Sequence, residues 1–321
     1  MDLSIVIALY NEEESLPELL SWIKKELASQ KFSYEIILVD DGSTDKSWEV
    51  IEKESQNYNT ISAIRFSRNY GKSAALYKGF EAAQGKVVVT MDADLQDSPE
   101  EIPELYEMIV NDGYDLVSGW KKKRKDSKLA KNIPSKIYNR VARRVTGLKL
   151  HDMNCGLKAY RSEVIKNIEV YGEMHRYIPY LAKIAGFSKI GEKVVKHQAR
   201  KFGKSKFGMD RFVNGFLDLI TLSFLSKFGK RPMHFFGTLG TLTFFIGIIT
   251  AGYLVVDKVI SQANGLKFRQ VSDQPLFYLS LVALIVGMQL FLAGFIGELV
   301  SRNSTERNSY KIKERLDKSR S

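Results

Sequence analysis

Cysteine is almost absent from this chain, with Cys155 alone among 321 residues. That scarcity excludes a disulfide framework and any cysteine-built zinc site, and it fits a reducing compartment. Histidine is scarce too: four scattered residues give little material for a histidine-rich metal centre. No signal peptide is expected, because the first apolar run, residues 3–9, leads straight into a capped helix. The glycine fingerprint of dinucleotide folds is missing after that run, which argues against the usual NAD site. Charge itself is missing in two places. Residues 233–256 and 276–297 contain no Asp, Glu, Lys or Arg.

Those two stretches would form helices of ~33–36 Å at ~1.5 Å per residue, enough to cross a hydrocarbon core of ~30 Å. Gly237, Gly240, Gly247 and Gly252 recur along the first, as in helices that pack closely within a bilayer. Gly237, Gly240 and Gly247 are expected to pack the spans together or against a neighbouring subunit. Lys227, Lys230 and Arg231 precede the first span, and Arg302, Arg307, Lys311, Lys313 and Arg315 follow the second. The intervening loop, 257–275, holds only Lys258, Lys267 and Arg269 as basic residues. The positive-inside rule then puts both termini in the cytoplasm and the loop outside.

The remainder reads as a water-soluble α/β domain. LSIVIALY (3–10), YEIILVDDGSTD (34–45), ISAIRFS (61–67), KVVVTM (86–91) and DLVSGW (115–120) are five apolar runs of strand length. Helical patterns separate them. Ser15 and Glu18 predict a capping box, with Leu16, Leu19, Leu20, Ile23 and Leu27 as the apolar face behind it. Ser43 or Thr44 is expected to cap the second helix, Gly85 to close the third, and Ser98-Pro99 to open the fourth. Alternating strands and helices imply a mostly parallel, Rossmann-like sheet.

Ligands of such sheets bind beyond the carboxyl ends of the strands. Polar clusters stand at those ends: Tyr10-Asn11-Glu12, Asp40-Asp41, Arg68-Asn69 and Asp92-Ala93-Asp94. Three carboxylates, Asp92, Asp94 and Asp97, end the fourth strand within six positions, a costly cluster unless something positive sits among them. A hard divalent cation, Mg2+ or Mn2+, prefers one or two carboxylates, with water and substrate phosphates completing its shell. Asp94 is therefore expected at a metal, whereas Asp97, just before Ser98-Pro99, reads as a solvated helix cap. Lys72 is expected either near a phosphate or on a helix surface.

The net charge of +11 suggests an acidic partner, and the basic residues cluster at the membrane flanks, which argues against nucleic acid. KKKRK (121–125) reads either as a phosphate or lipid contact or as a solvated loop. IPSKIYNRVARRVTG (133–147), with Lys136, Arg140, Arg143 and Arg144, has the pattern of a basic amphipathic helix at a membrane interface, or of one packed on the core. FVNGFLDLITLSFLSKFGK (212–230) reads as an interfacial helix leading into the first span. The expected organisation is a catalytic domain over 1–206, juxtamembrane helices over 207–231, two spans within 232–300 (about 233–256 and 276–300) and a basic tail over 301–321.

IALYNEEE, LVDDGSTD, SRNYGKSAAL, MDADLQDSPEE, DMNCGLKAYR, HRYIP and RKFGKSKFG occur in an order that resembles glycosyltransferase family 2. The likeness is to the branch holding dolichyl-phosphate mannose synthases and bacterial polyprenyl-phosphate glycosyltransferases. It covers roughly residues 3–210, and two trailing spans match the bacterial members. Ala8 stands where the family usually has proline.

The resemblance implies a GT-A fold, a nucleotide-diphosphate sugar donor such as UDP-glucose, and a polyprenyl (undecaprenyl) phosphate acceptor. It places Tyr10, Asn11, Glu12 and Asp40 around the nucleoside, with Asp41, Asn69 and Lys72 on the donor side. Asp92, Asp94 and Gln96 go to the metal and donor diphosphate. Asp152 becomes either a catalytic base or a group that positions the acceptor. Arg200, Lys204, Ser205 and Lys206, with Arg140 among the basic residues after the fifth strand, go to the acceptor phosphate. His175 and Arg176 match a motif near the acceptor side. The expected product is a β-linked polyprenyl-phosphate sugar, made by inversion at a cell (plasma or inner) membrane. A homo-oligomer is a further expectation for this chain, with span glycines against a neighbouring subunit. The rival expectations are a transferase acting on a sugar hydroxyl or growing polysaccharide, and a membrane scaffold without turnover. Processive members carry a QxxRW motif, and RKFGKSKFG stands in its place.

Overall fold

The computed structural model describes residues 1–122, 140–202 and 231–303 apart from 268, with isolated positions between 217 and 228. It divides into two compact units, Met1–Ile220 and Thr221–Ser321. Ser205 and Lys206, Lys204, residues 123–125, the start of the basic helix, most of 212–230 and the tail from 304 lie outside the described residues.

The first unit is built on a seven-stranded sheet of order β3-β2-β1-β4-β6-β5-β7. The five expected strands are β1 (Leu3–Leu9), β2 (Tyr34–Asp40), β3 (Ile61–Arg65), β4 (Val87–Asp92) and β5 (Leu116–Trp120). Two more, β6 (Lys158–Arg161) and β7 (Ile190–Val194), complete the sheet. β1 pairs in parallel with β2 and β4, β2 with β3, and β5 with β7. β6 runs antiparallel between β4 and β5. β-Branched runs buried on both faces suit this arrangement: Ile5, Val6, Ile7, Leu38, Val39, Val88 and Val89 are fully buried.

Register explains why the polar ends meet. Leu9 stands opposite Asp40, Ala8 opposite Asp92, and Asp40 opposite Arg65. Because β6 is reversed, its first residue, Lys158, pairs with Thr90 and Ser118 at this same edge. The loop 152–157 is thereby delivered beside the ends of β4 and β5. Parallel pairing of β7 on β5, Trp120 opposite Val194, carries the chain onward to His197 and Arg200 on that edge. Asp97 and His197 then form an isolated bridge.

The helices of this unit are α1 (Leu16–Leu27), α2 (Ser47–Asn57), α3 (Lys72–Ala82), α4 (Ile102–Val110), α5 (140–146), α6 (Ser162–Lys166) and α7 (Ile178–Ile184). α1 buries the expected leucine and isoleucine face. The capping box is not formed: Ser15 is itself helical in backbone, and its hydroxyl donates to Glu12 Oε2 at 2.8 Å. Neither Ser43 nor Thr44 caps α2, which starts later. Ser43 Oγ instead accepts from the Asn11 N–H at 2.9 Å, and the Thr44 N–H donates to Asn11 Oδ1 at 2.8 Å. α3 ends at Ala82, before Gly85, as Ala83 turns extended. Pro99 opens a 3-10 turn that leads into α4.

The second unit contains two long apolar helices, Pro232–Ala263 and Pro275–Asn303. At ~1.5 Å per residue both exceed ~40 Å, longer than the ~30 Å hydrocarbon core. The first runs past its expected end and takes in Asp257 and Lys258, which shortens the expected loop to 264–274. Only 17% of each apolar window is buried, the exposure of a membrane span and not of a core helix.

Glycines join the two helices to each other. A Cβ on Gly287 would lie 2.6 Å from the Phe244 nitrogen and 2.8 Å from the Gly240 oxygen. One on Gly240 would meet the Phe291 nitrogen at 2.6 Å, and one on Gly247 the Ser280 oxygen at 2.9 Å. Backbone contact of this kind is what small residues permit between helices in lipid. Gly252 differs, since a Cβ there meets nothing within 4 Å. Gly287→Leu is therefore expected to lower the stability of the detergent-solubilised protein by about 1–3 kcal/mol, as overpacking does. Gly252→Ala should leave the thermal midpoint unchanged. Equal midpoints for both variants would overturn this account of the hairpin.

Candidate active site

β4 ends in a turn that presents its acids in different directions. Asp92 is the last strand residue, and the Lys72 ammonium at the start of α3 pairs with its Oδ1. Asp94 is 8% exposed; its Oδ2 accepts from Arg200 Nη2 at 2.6 Å and its Oδ1 from the Gln96 N–H at 3.2 Å. Leu95 between them has φ 61°, a left-handed conformation that costs a leucine about 1–2 kcal/mol. The turn bends tightly enough for the Gln96 amide to return to Asp94.

Asp97 behaves differently from the solvated cap expected of it. It is fully buried, its Oδ1 lies 2.7 Å from Lys121 Nζ, and its Oδ2 accepts from the Asp92 N–H at 3.3 Å. Lys121, the first residue of the basic run, is accordingly no solvated loop residue: its side chain is 11% exposed. Breaking a buried pair leaves one charge stranded, at about 3–5 kcal/mol. Asp97→Asn is therefore expected to lower unfolding stability by that order, which chemical denaturation would measure. A loss under 1 kcal/mol would contradict the pairing.

The electrostatics separate the two outer acids. Burial opposes ionisation of Asp92, but Lys72, Lys121 and Lys158 outweigh it and hold this carboxyl well below the usual range. Burial and the neighbouring Asp92 charge push Asp94 up to about 6, against the pull of Arg200. Burial raises the Cys155 thiol to about 12, so it is an inert core group.

Two hard carboxylates, each drawing a cation to itself, match the donor chemistry of Mg2+ or Mn2+. Among the described residues, no cluster of three or more His, Cys, Asp or Glu side chains could hold a metal alone. A pair is the number expected when substrate phosphates complete the shell. Gln96 reaches this site through its backbone in the contacts described: its N–H donates to Asp94, and its carbonyl accepts from the Gln198 N–H at 3.0 Å.

The first two strand ends build the other half of the cleft. Asn11, with φ 55°, and Glu12 are locked to the β2–α2 loop, the Glu12 N–H donating to Ser47 Oγ at 2.8 Å. Tyr10 is half-buried beside them. Asp40 is fully buried; its Oδ1 accepts from the Ser43 N–H at 2.8 Å, and Arg65 Nε approaches its Oδ2 at 3.5 Å. Asp41 accepts from the N–H groups of Tyr70 and Gly71 at 2.7 and 2.9 Å, so it fixes the entry to α3; burial raises its pKa against those bonds. Asn69 is exposed on that loop.

Asp152 lies on the loop before β6, 2% exposed, with Oδ1 accepting from the Asn154 N–H at 3.1 Å. Glu192 of β7 holds this loop: its Oε1 accepts from the N–H groups of His151 and Asp152 at 2.8 and 3.0 Å. His151 stacks on Trp120 with ring centroids 4.1 Å apart. His175 Nδ1 lies 3.1 Å from Ser73 Oγ, and Arg176 donates to Glu173 at 2.9 Å.

The structure thus brings Lys72, Asp92, Asp94, Gln96, Asp152 and Arg200 to one edge. Arg200, expected at the acceptor phosphate, contacts Asp94. Arg140 stands exposed on α5. Gly156, Lys158 and Glu192 were not singled out by the sequence. Gly156 and Lys158 lie inside DMNCGLKAYR, where their spacing from Asp152 was the available signal.

Known proteins share this frame. The signature of "Glycosyl transferase family 2" matches residues 4–169. A dodecaprenyl-phosphate galacturonate synthase of Rhizobium johnstonii is 36% identical, over 94% of this chain and 88% of the relative. An undecaprenyl-phosphate 4-deoxy-4-formamido-L-arabinose transferase of Shewanella sediminis is also 36% identical, over 93% and 87%. Among solved structures, glucosyl-3-phosphoglycerate synthase of Mycobacterium tuberculosis, with Mg2+ and UDP, superposes with a TM-score of 0.53 at 18% identity. That match covers 70% of this chain and 79% of the other, and shows the shared fold.

Proposed function

The chain belongs to glycosyl transferase family 2, and from that premise we propose that it moves one sugar, with inversion, from a nucleoside-diphosphate sugar such as a UDP-sugar to polyprenyl phosphate, undecaprenyl phosphate in a bacterium. The product is a β-linked polyprenyl-phosphate sugar. The observation that carries this reading is the extent of the likeness. Relatives named for polyprenyl-phosphate acceptors match across 94% and 93% of the chain, through the apolar hairpin as well as the sheet.

Asp92 and Asp94 would hold Mg2+ or Mn2+, with the Gln96 backbone steadying Asp94. The metal supplies Lewis-acid stabilisation for charge on the departing nucleoside diphosphate. Lys72 and Arg200 add positive charge at the same place. The Tyr10–Glu12 and Asp40–Asp41 segments form the nucleoside side of the cleft. The attacking group is a phosphate monoester oxygen, mostly dianionic at pH 7 because its second pKa is about 6. No strong base is needed for such a nucleophile, so Asp152 orients the acceptor. Arg200, with Ser205 and Lys206 on the segment that follows and Arg140, meets the acceptor phosphate.

The hairpin anchors the enzyme where its acceptor resides. The basic flanks 227–231 and 302–315 favour cytoplasmic termini at the plasma or inner membrane. The test is release of nucleoside diphosphate by the purified full chain. It should require both a divalent metal and added polyprenyl phosphate. Release with water or a free sugar alone would favour a hydroxyl acceptor. No release with any donor would leave a non-catalytic scaffold.

A further inference from the structure

β7 is the edge strand of the sheet, and Glu192 stands at its centre, opposite Ser118 of β5. Charged side chains on an edge strand ordinarily face water. The side chain of this one is only 12% exposed, and its contacts among the described residues all go to two consecutive residues of one loop. Oε1 accepts from the N–H groups of both His151 and Asp152, and Oε2 lies 2.7 Å from His151 Nδ1. Lys193, the next residue, points to the other face of the sheet, where its ammonium pairs with Glu104 of α4 at 2.8 Å. The neighbouring cation is engaged elsewhere, and Glu192 is left to the loop.

That loop needs outside support. Residues 147–157, between α5 and β6, are neither helix nor strand, so their amides have no ladder to enter. Asp152 is held at both ends of its backbone: Glu192 takes its N–H at 3.0 Å, and Ser118 Oγ lies 3.5 Å from its carbonyl oxygen. The register of β5 and β7 sets those two side chains next to each other. His151 adds a second brace by stacking on Trp120 at the end of β5. Burying a carboxylate without donors is costly, and here two backbone amides offset the cost.

We propose that Glu192 is a positioning residue: it sets where the Asp152 carboxylate stands, and through it how the acceptor phosphate is presented to the donor sugar. The inference rests on the reading above in which Asp152 orients the acceptor, and it adds the group on which that orientation depends. Asp92 and Asp94 are placed by β4 instead. Loss of Glu192 therefore reaches the acceptor and spares the donor.

The test compares acceptor and donor in variants of the full chain in detergent, with farnesyl phosphate as acceptor and the UDP-sugar that the wild type turns over. Glu192→Leu should lower kcat/KM for farnesyl phosphate about 100-fold, the cost of a misplacement near ~1 Å, chiefly through a higher acceptor KM. Calorimetric affinity for UDP with Mn2+ should stay within about twofold, which a merely structural role would not spare. Glu192→Gln keeps an oxygen for the two amides and should stay within about threefold of wild type. His151→Ala, which removes only the imidazole and its stack, should do the same. In an Asp152→Ala background Glu192→Leu should cost nothing more, because the two residues act as one unit. If Glu192→Leu does not fold, Glu192→Asp, a methylene too short to reach both amides, should show the same acceptor-specific loss. Undiminished kcat/KM in whichever of the two folds would overturn the proposal. So would a fall in UDP affinity as large as the fall in turnover, or full additivity of the Asp152 and Glu192 losses. Calorimetry with farnesyl phosphate keeps this outcome apart from that of the function itself. Wild-type binding that Glu192→Leu weakens, with no turnover, removes the transferase reading and leaves the positioning role. Wild-type turnover matched by Glu192→Leu does the reverse.

Discussion

Asp94→Asn should cut transfer to polyprenyl phosphate by about 10³-fold, the scale lost when a preorganised electrostatic contact at a developing charge is removed. The substitution keeps shape and removes the charge. Arg200 loses its anionic partner, and the metal loses one of two hard ligands. Fold stability should barely change, because Asp94 lies at the cleft and its removal strands no deeply buried cation. The contrast with Asp97, three residues on and fully buried against Lys121, is diagnostic. One substitution should remove activity and spare stability, and the other should cost stability first. Nucleoside-diphosphate release, set beside a denaturation curve, measures both.

The same residue predicts a pH dependence. Burial and the Asp92 charge raise Asp94 to about 6, so it takes up a proton as pH falls through that value. Metal binding needs the ionised form. Apparent Mn2+ affinity without donor should therefore fall about tenfold per pH unit below pH ~6 and level off above it. Calorimetry between pH 5 and pH 8 would show this. A flat profile would mean that Asp94 is not a ligand.

Much of this site was legible because β-branched runs that end in acids are non-local signals written locally. β1, β2 and β4 are nearly continuous apolar segments, and each announces its own polar end. β6 and β7 were not legible. β6 is four residues long with a lysine and an arginine at its ends, and no residue of β7 is fully buried. Missing them hid Lys158, beside Asp92, and Glu192, which holds the loop of Asp152. Asp97 was misjudged for a related reason. Its partner Lys121 sits at the end of the next strand in sequence, and local spacing cannot report a pair closed by the sheet. The caps failed because parallel pairing of β1 and β2 sets their following loops side by side. Ser43, Ser47 and Asp45 there accept from the N–H groups of Asn11, Glu12 and Glu13. Rules for isolated helices assume that only water competes for those side chains.

Gly156 yields the second large expected effect. A Cβ built there would stand 2.5–2.6 Å from the Oδ2, Cγ and Oδ1 atoms of Asp92, inside any tolerated contact. Space, and not an unusual backbone angle, is what the glycine provides. In Gly156→Ala something must yield, and the choices are limited. The backbone around Gly156 is held where its carbonyl accepts from Thr90 Oγ1 at 2.9 Å, and β6 begins two residues later. The Asp92 carboxylate is the movable party, and among the described residues its ion pair is with Lys72. It should swing aside by about 1 Å, and misplacement of that size in a catalytic site costs about 100-fold. The expected variant is folded, with kcat/KM for lipid transfer down about two orders of magnitude and Mn2+ affinity weakened alongside. Wild-type turnover in Gly156→Ala would show that Asp92 has room to spare, and that its carboxylate need not stay where β4 and Lys72 hold it.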